Sequence, residues 1–225
     1  MTLKSTMEVG KVQKRRTFLL LILTSFLFLS SCGSKSDVTP QSQTVTVYAT
    51  PSAQPWLSDL FACAADLSIV TTISAEAPDI TLRIGEPDNL LSPSFQIGEE
   101  ELLIVTHRES PVQNLSLEEA QALFSGSGGE FVQVWVYPSE LDVQGLFDQF
   151  VMQGRSVTSS AKVAINPQQM SDLLNSDSNA VGLLPKHWKA GNVREVYSVG
   201  TFPVLAVTRE EPLGAVRNLI SCLQK

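Results

Sequence analysis

The sequence is short of the residues that most directly announce chemistry. Two histidines and three cysteines in 225 residues are too few for a His-rich metal centre, a four-cysteine zinc site or a small disulfide scaffold. Positive charge is scarce as well. Sixteen Lys and Arg against 23 Asp and Glu leave a formal net charge of −7, which excludes a nucleic-acid binder that relies on a broad basic face. Charged residues make up 17% and hydrophobic residues 43%, so the chain is neither disordered throughout nor a coiled coil. No internal repeat is present. Gly126-Ser127-Gly128-Gly129 lacks the spacing and the lysine of a P-loop and reads as a turn. His107 and His187 stand in no metal or nucleophile motif and read as structural or surface residues. The expectation is a protein that is not an enzyme, with no cofactor, no metal and no nucleic-acid partner. The length allows one large domain or two small lobes around a real core.

The charge is unevenly spread. Before residue 32, Lys4, Lys11, Lys14, Arg15 and Arg16 face only Glu8, so the first segment carries +4 and the remainder −11. The basic stretch leads into Phe18-Leu19-Leu20-Leu21-Ile22-Leu23 and Phe26-Leu27-Phe28-Leu29. That run is short for a stable membrane span, which needs about 20 residues, and fits a signal-peptide core over residues 1–31. Leu29-Ser30-Ser31-Cys32-Gly33 resembles the bacterial lipoprotein processing box, in which the cysteine is lipidated and becomes the new N-terminus. The resemblance implies palmitate and other acyl chains on Cys32 and a location on the extracytoplasmic face of the cell membrane. Several chains on one cysteine anchor a protein stably, whereas one is marginal. Residues 32–43 are rich in Ser, Thr, Pro and Gln and suit a flexible tether.

Export bears on the two remaining cysteines. In an oxidising compartment Cys63 and Cys222 are candidate disulfide partners closing a loop of about 160 residues. The alternative is two buried free thiols.

From Thr44 onward, strands and helices alternate, so the fold class is α/β. Thr44–Tyr48 alternates and is β-branched, as a half-buried strand does. Further strands are expected at 68–73, 80–84, 131–137, 181–184, 193–199 and 204–207. Leu102-Leu103-Ile104-Val105 is a continuous apolar run, as expected of a strand buried on both faces. Trp56, Leu57, Leu60, Phe61 and Ala64 fall on one helical face after Pro55. Ser116 and Glu119 have capping-box spacing before a second helix. Helices are also expected around Leu146–Val151, after Asn166-Pro167, and over Leu213–Leu223. Two polar connectors, 107–111 and 209–212, suggest chain crossings that would make one lobe discontinuous.

This order of elements resembles the type 2 periplasmic binding proteins, within them the phosphate-binding, PstS-like branch. The residues that carry the resemblance are Glu101–Thr106, Ser110–Ser116 and Glu118–Gly126, then Asn179–Pro185, then Phe202–Val207. It implies two lobes, 44–106 plus 203–225 and 107–202, facing each other across a cleft. It also implies a monomeric receptor that captures a small solute, an oxyanion among the options, and docks on an ABC permease or other membrane protein. It places the first and last helices in one lobe, which supports the Cys63–Cys222 pairing.

The candidate ligand residues follow from the same comparison. Thr50 and Ser52 lie in the loop before the Trp56 helix, where the family turns hydroxyls toward its ligand. Arg83 offers a guanidinium suited to an oxyanion, and Asp79 a carboxylate for a protonated one. The second lobe departs from the pattern: Leu141-Asp142-Val143 stands where the phosphate binders carry a Ser-Gly-Thr run. Ser139 is the substitute hydroxyl, while Glu140 and Asp142 bring negative charge. The competing expectation is therefore a structural or sensory module that keeps the fold, has lost the ligand site and recognises a protein partner.

Overall fold

The computed structural model describes residues 43–87, 89, 91–127 and 132–225. The leader 1–31, Cys32 and the tether up to residue 42 lie outside the described residues, as do Gly128, Gly129 and Phe131. No described helix is long and apolar enough to cross a membrane.

From residue 43 onward the described residues form one compact unit built on an eight-stranded sheet. The strands are β1 (Thr44–Ala49), β2 (Val70–Ile73), β3 (Ile80–Ile84), β4 (Ser94–His107), β5 (Gln133–Val136), β6 (Lys162–Val163), β7 (Ala180–Pro185) and β8 (Val193–Thr208). Their spatial order is β2-β1-β3-β8-β4-β7-β5-β6. β1 pairs in parallel with β2 and β3, and β5 pairs in parallel with β6 and β7. The two long strands in the middle are antiparallel to each other along their whole length.

Those two strands carry the chain between the halves. At about 3.3 Å per residue, the 14 residues of β4 extend roughly 46 Å. The near end of β4 (Ser94–Glu99) pairs with Pro203–Val207 of β8, and β8 continues the first half by pairing with β3. The far end, Leu102–Thr106, pairs with β7 in the second half. The boundary expected after Thr106 therefore falls inside β4, near Glu100–Leu102. The connectors at 107–111 and 209–212 are loops at strand ends rather than crossings. The separate strands expected at 193–199 and 204–207 are likewise one strand, β8. The β4–β8 ladder shifts register between Gln96 and Gly98, Leu102 and Leu103, and Ile104 and Val105, the second of these where the halves meet.

Among the described residues, five α-helices accompany the sheet: α1 (Leu57–Asp66), entered through a 3₁₀ turn at Pro51–Trp56; α2 (Leu117–Ala122), continued by a π turn to Ser127; α3 (Asp142–Phe147), continued by a π turn to Met152; α4 (Pro167–Ser176); and α5 (Gly214–Leu223). The start of α2 is the expected capping box: Glu119 N–H donates to Ser116 Oγ at 3.2 Å, and Ser116 N–H donates to Glu119 Oε2 at 2.7 Å. Gly126, at φ +93°, breaks the helical path that follows. Asn166 caps α4 by accepting Gln169 N–H at 2.8 Å. Leu102–Val105 and Val181–Leu184 are buried on both faces of the sheet.

Cys63 on α1 and Cys222 on α5 form a disulfide, with Cα atoms 5.9 Å apart and a sequence separation of 159. The two helices pack together beside β1, so the bond ties the first and last helices of the first half.

Candidate functional site

The loop after β3 and the loop before α3 face each other across the two halves. Between them lies a cavity of about 600 Å³ walled by Arg83, Ile84 and Glu86 on one side and by Ser139, Glu140 and Asp142 on the other, with Asp148 and Gln149 at its margin. The described lining thus holds one arginine and four carboxylates. Desolvation raises the Asp148 carboxyl from its ordinary value of 3.8, only partly offset by Gln144, whose Nε2 donates to its Oδ1 at 2.9 Å.

Asp142 is the centre of the contact. It opens α3, and its Oδ2 reaches into the opposite half, where it accepts the Thr50 hydroxyl at 2.7 Å and Ile84 N–H at 2.9 Å. Its Oδ1 accepts Val143 N–H at 3.0 Å. Charge-assisted bonds of this kind are about twice as strong as neutral ones. The halves also approach closely beside this cluster. Gly85, at φ +73°, stands so near Leu146 that a Cβ there would lie 2.8 Å from the leucine Cδ2, and the left-handed backbone also disfavours a side chain.

A second bridge lies at the Glu100 crossing. Glu100 is 1% exposed, and three donors surround its carboxylate: Trp56 Nε1 at 3.1 Å, His187 N–H at 3.2 Å and His187 Nδ1. The Trp56 and His187 rings meet edge to face, 5.2 Å between centroids, and Trp56 packs on Gly98, where any Cβ would collide with the indole. Next to it, Trp188 Nε1 donates to the Ser52 carbonyl at 3.0 Å. On the far side of β4, Lys186 and Ser198 donate to Glu101 at 2.8 and 2.7 Å, and together they hold its carboxyl below the ordinary value of 4.5.

The residues singled out in the sequence are distributed as follows. Arg83 and Ser139 are in the cavity wall, and Arg83 Nε is tied to the Gly85 carbonyl at 3.0 Å. Thr50 is not in the wall, because Asp142 stands in front of its hydroxyl. Ser52 is fully buried away from the cavity, its Oγ without a hydrogen-bond partner and its carbonyl engaged by Trp188. Asp79 is structural: it accepts Thr46 N–H at 2.7 Å at the strand ends. Among the described residues, no cluster of three or more His, Cys, Asp or Glu side chains is arranged to hold a metal ion. Sequence reasoning did not foresee the roles of Glu100, Trp56 and His187. A glutamate between two glutamates reads as solvent-exposed, and the partners are 44 and 87 residues away.

No family model matches the chain, and no curated protein matches it in sequence. Solved structures do match its fold. A putative phosphate ABC transporter substrate-binding protein with bound phosphate from Clostridium perfringens aligns at TM-score 0.72 and 16% identity, over 80% of this chain and 93% of that one. An ABC-type phosphate transport receptor from Vibrio cholerae gives TM-score 0.62 and 14% identity, with the same two coverages. The reduced regulatory domain of OxyR2 from Vibrio vulnificus gives 0.63 and 10%, over 81% of this chain and 95% of that one. Proteins described as phosphate transport receptors and a regulatory domain thus share one architecture with this chain, and at such identities the likeness speaks for fold alone. The chain has the type 2 periplasmic-binding-protein-like fold, with two halves joined by β4 and β8 around a cavity centred on Asp142.

Proposed function

We propose that this chain is a lipid-anchored, extracytoplasmic solute-binding protein that presents a small polar solute to an ABC-type permease, and that it is not an enzyme. The observation that carries this reading is the polar cavity walled from both halves of the sheet, in the place where two-lobed receptors close on ligand. The phosphate-binding neighbours support the transport reading. The wall itself, four carboxylates against Arg83, favours a neutral or positively charged solute over phosphate. The anchor rests on the processing box at Cys32, and a Cys32→Ser variant should lose palmitate labelling and membrane association.

A thermal-shift screen tests the receptor reading. A solute present at 100 times its Kd stabilises by about 2.7 kcal/mol, which for a domain of this size raises Tm by about 5–10 °C. Phosphate, sulfate, molybdate, polyamines, amino acids and small sugars form the panel. A flat response to all of them would favour the second reading, a sensory or structural module that binds a protein partner. That reading is supported by the Asp142 bonds that already bridge the halves.

A further inference from the structure

We propose that Asp142 is the specificity-determining residue of the cleft: its carboxylate is a built-in anion that takes the donors an inorganic oxyanion would need, so the cleft refuses phosphate and sulfate. This rests on the reading of the cavity as the solute site. The Thr50 hydroxyl, Ile84 N–H and Val143 N–H all converge on this one carboxylate, from both halves of the sheet. Such a set of donors, drawn from separate elements onto one group, is what a bound oxyanion receives in a preorganised site. Here the group is covalently attached, so its effective concentration is far above that of any free anion. An incoming phosphate meets occupied donors and, elsewhere in the cavity lining, the further carboxylates of Glu86, Glu140 and Asp148. Among the described lining residues Arg83 is the single cation.

Two substitutions separate the charge from the occupancy. Asp142→Ser withdraws the carboxylate and leaves the three donors free. Asp142→Asn keeps one oxygen at the same reach, so the two donors from the opposite half, the Thr50 hydroxyl and Ile84 N–H, stay filled although the charge is gone and Val143 N–H loses its acceptor. The test is isothermal titration of inorganic phosphate, and separately sulfate, into the full chain in detergent, for wild type and both variants. Asp142→Ser is expected to bind phosphate at least about tenfold more tightly than the wild type, while Asp142→Asn stays as weak as the wild type. Wild-type binding as tight as that of Asp142→Ser overturns the proposal. So does a folded Asp142→Ser protein, judged by circular dichroism, that binds neither anion. Should Asp142→Ser not fold, the wild-type Ile84 amide resonance decides. It is expected to stay in place under millimolar phosphate, and a phosphate-dependent shift overturns the proposal. A wild type that binds no solute in the wider screen would remove the transport reading but leave the contrast between the two variants intact.

Discussion

Breaking the Cys63–Cys222 bond should cost this protein a large part of its stability. The bond closes a 159-residue separation, and the chain-entropy model values such a loop at about 5 kcal/mol. Residual structure in the denatured chain lowers the return, so about 3–5 kcal/mol is the working range. Domains are stable by only about 5–15 kcal/mol in all. At about 2–4 °C per kcal/mol for a domain of this size, Tm should fall by roughly 6–20 °C. The damage should be local in the native state, because both cysteines sit on helices of the same half, α1 and α5. The assay compares thermal unfolding of the wild type with and without reductant, and of a Cys63→Ala/Cys222→Ala variant. The urea m-value should rise on reduction, since the denatured state loses its cross-link and expands. A thiol count on the denatured, unreduced protein that found Cys63 and Cys222 free would refute the reasoning. A double variant melting within about 2 °C of the wild type would refute the magnitude.

Other consequences concern the contacts around the crossing. Glu100→Ala strips the acceptor from Trp56 Nε1 and from two His187 donors. With His187 half exposed to replacement water, the loss should be about 2–4 kcal/mol by urea unfolding, with Glu100→Gln milder. Gly85→Ala should destabilise the protein, because it strains the left-handed backbone and crowds Leu146; differential scanning calorimetry reads the loss, and an unchanged Tm would contradict the close approach. Glu101 has a folded pKa below its ordinary 4.5, through its bonds to Lys186 and Ser198. Its stabilising contribution is thus complete above the unfolded value and fades as pH falls through the lower folded one. Lys186→Met should move the Glu101 titration upward toward 4.5 in a carboxyl NMR experiment.

Much of the fold was legible because its signals are local. The β-branched alternation of Thr44–Tyr48, the Ser116–Glu119 box and the apolar run Leu102–Val105 each report on a few neighbouring residues. All three appear as expected in the structure. The length of β4 was not legible. Its middle contains Glu99-Glu100-Glu101, a charge run of the kind found on solvated surfaces, yet Glu100 is buried with Trp56 and His187 supplying its donors. The break expected between 199 and 204 is likewise absent, and β8 runs through Pro203 in the ladder with β4. At the site, the sequence pointed to Thr50 and to the acidic character of Leu141-Asp142-Val143, but not to their meeting. That contact spans 92 residues and depends on how far apart the two halves stand, which no local pattern records. Ser52 shows the opposite case: a hydroxyl in the right loop is turned into the core, and only its carbonyl takes part.

The central claim is that a small polar solute is held between the two halves at the Asp142 cavity. Hydrogen–deuterium exchange on the full chain, with and without the most stabilising solute from the screen, tests it most directly. The account predicts slowed exchange on both walls together, at residues 83–86 after β3 and at residues 141–146 around the start of α3. Protection confined to the groove along Pro111–Leu115 and α2, or no change with any solute, would contradict it.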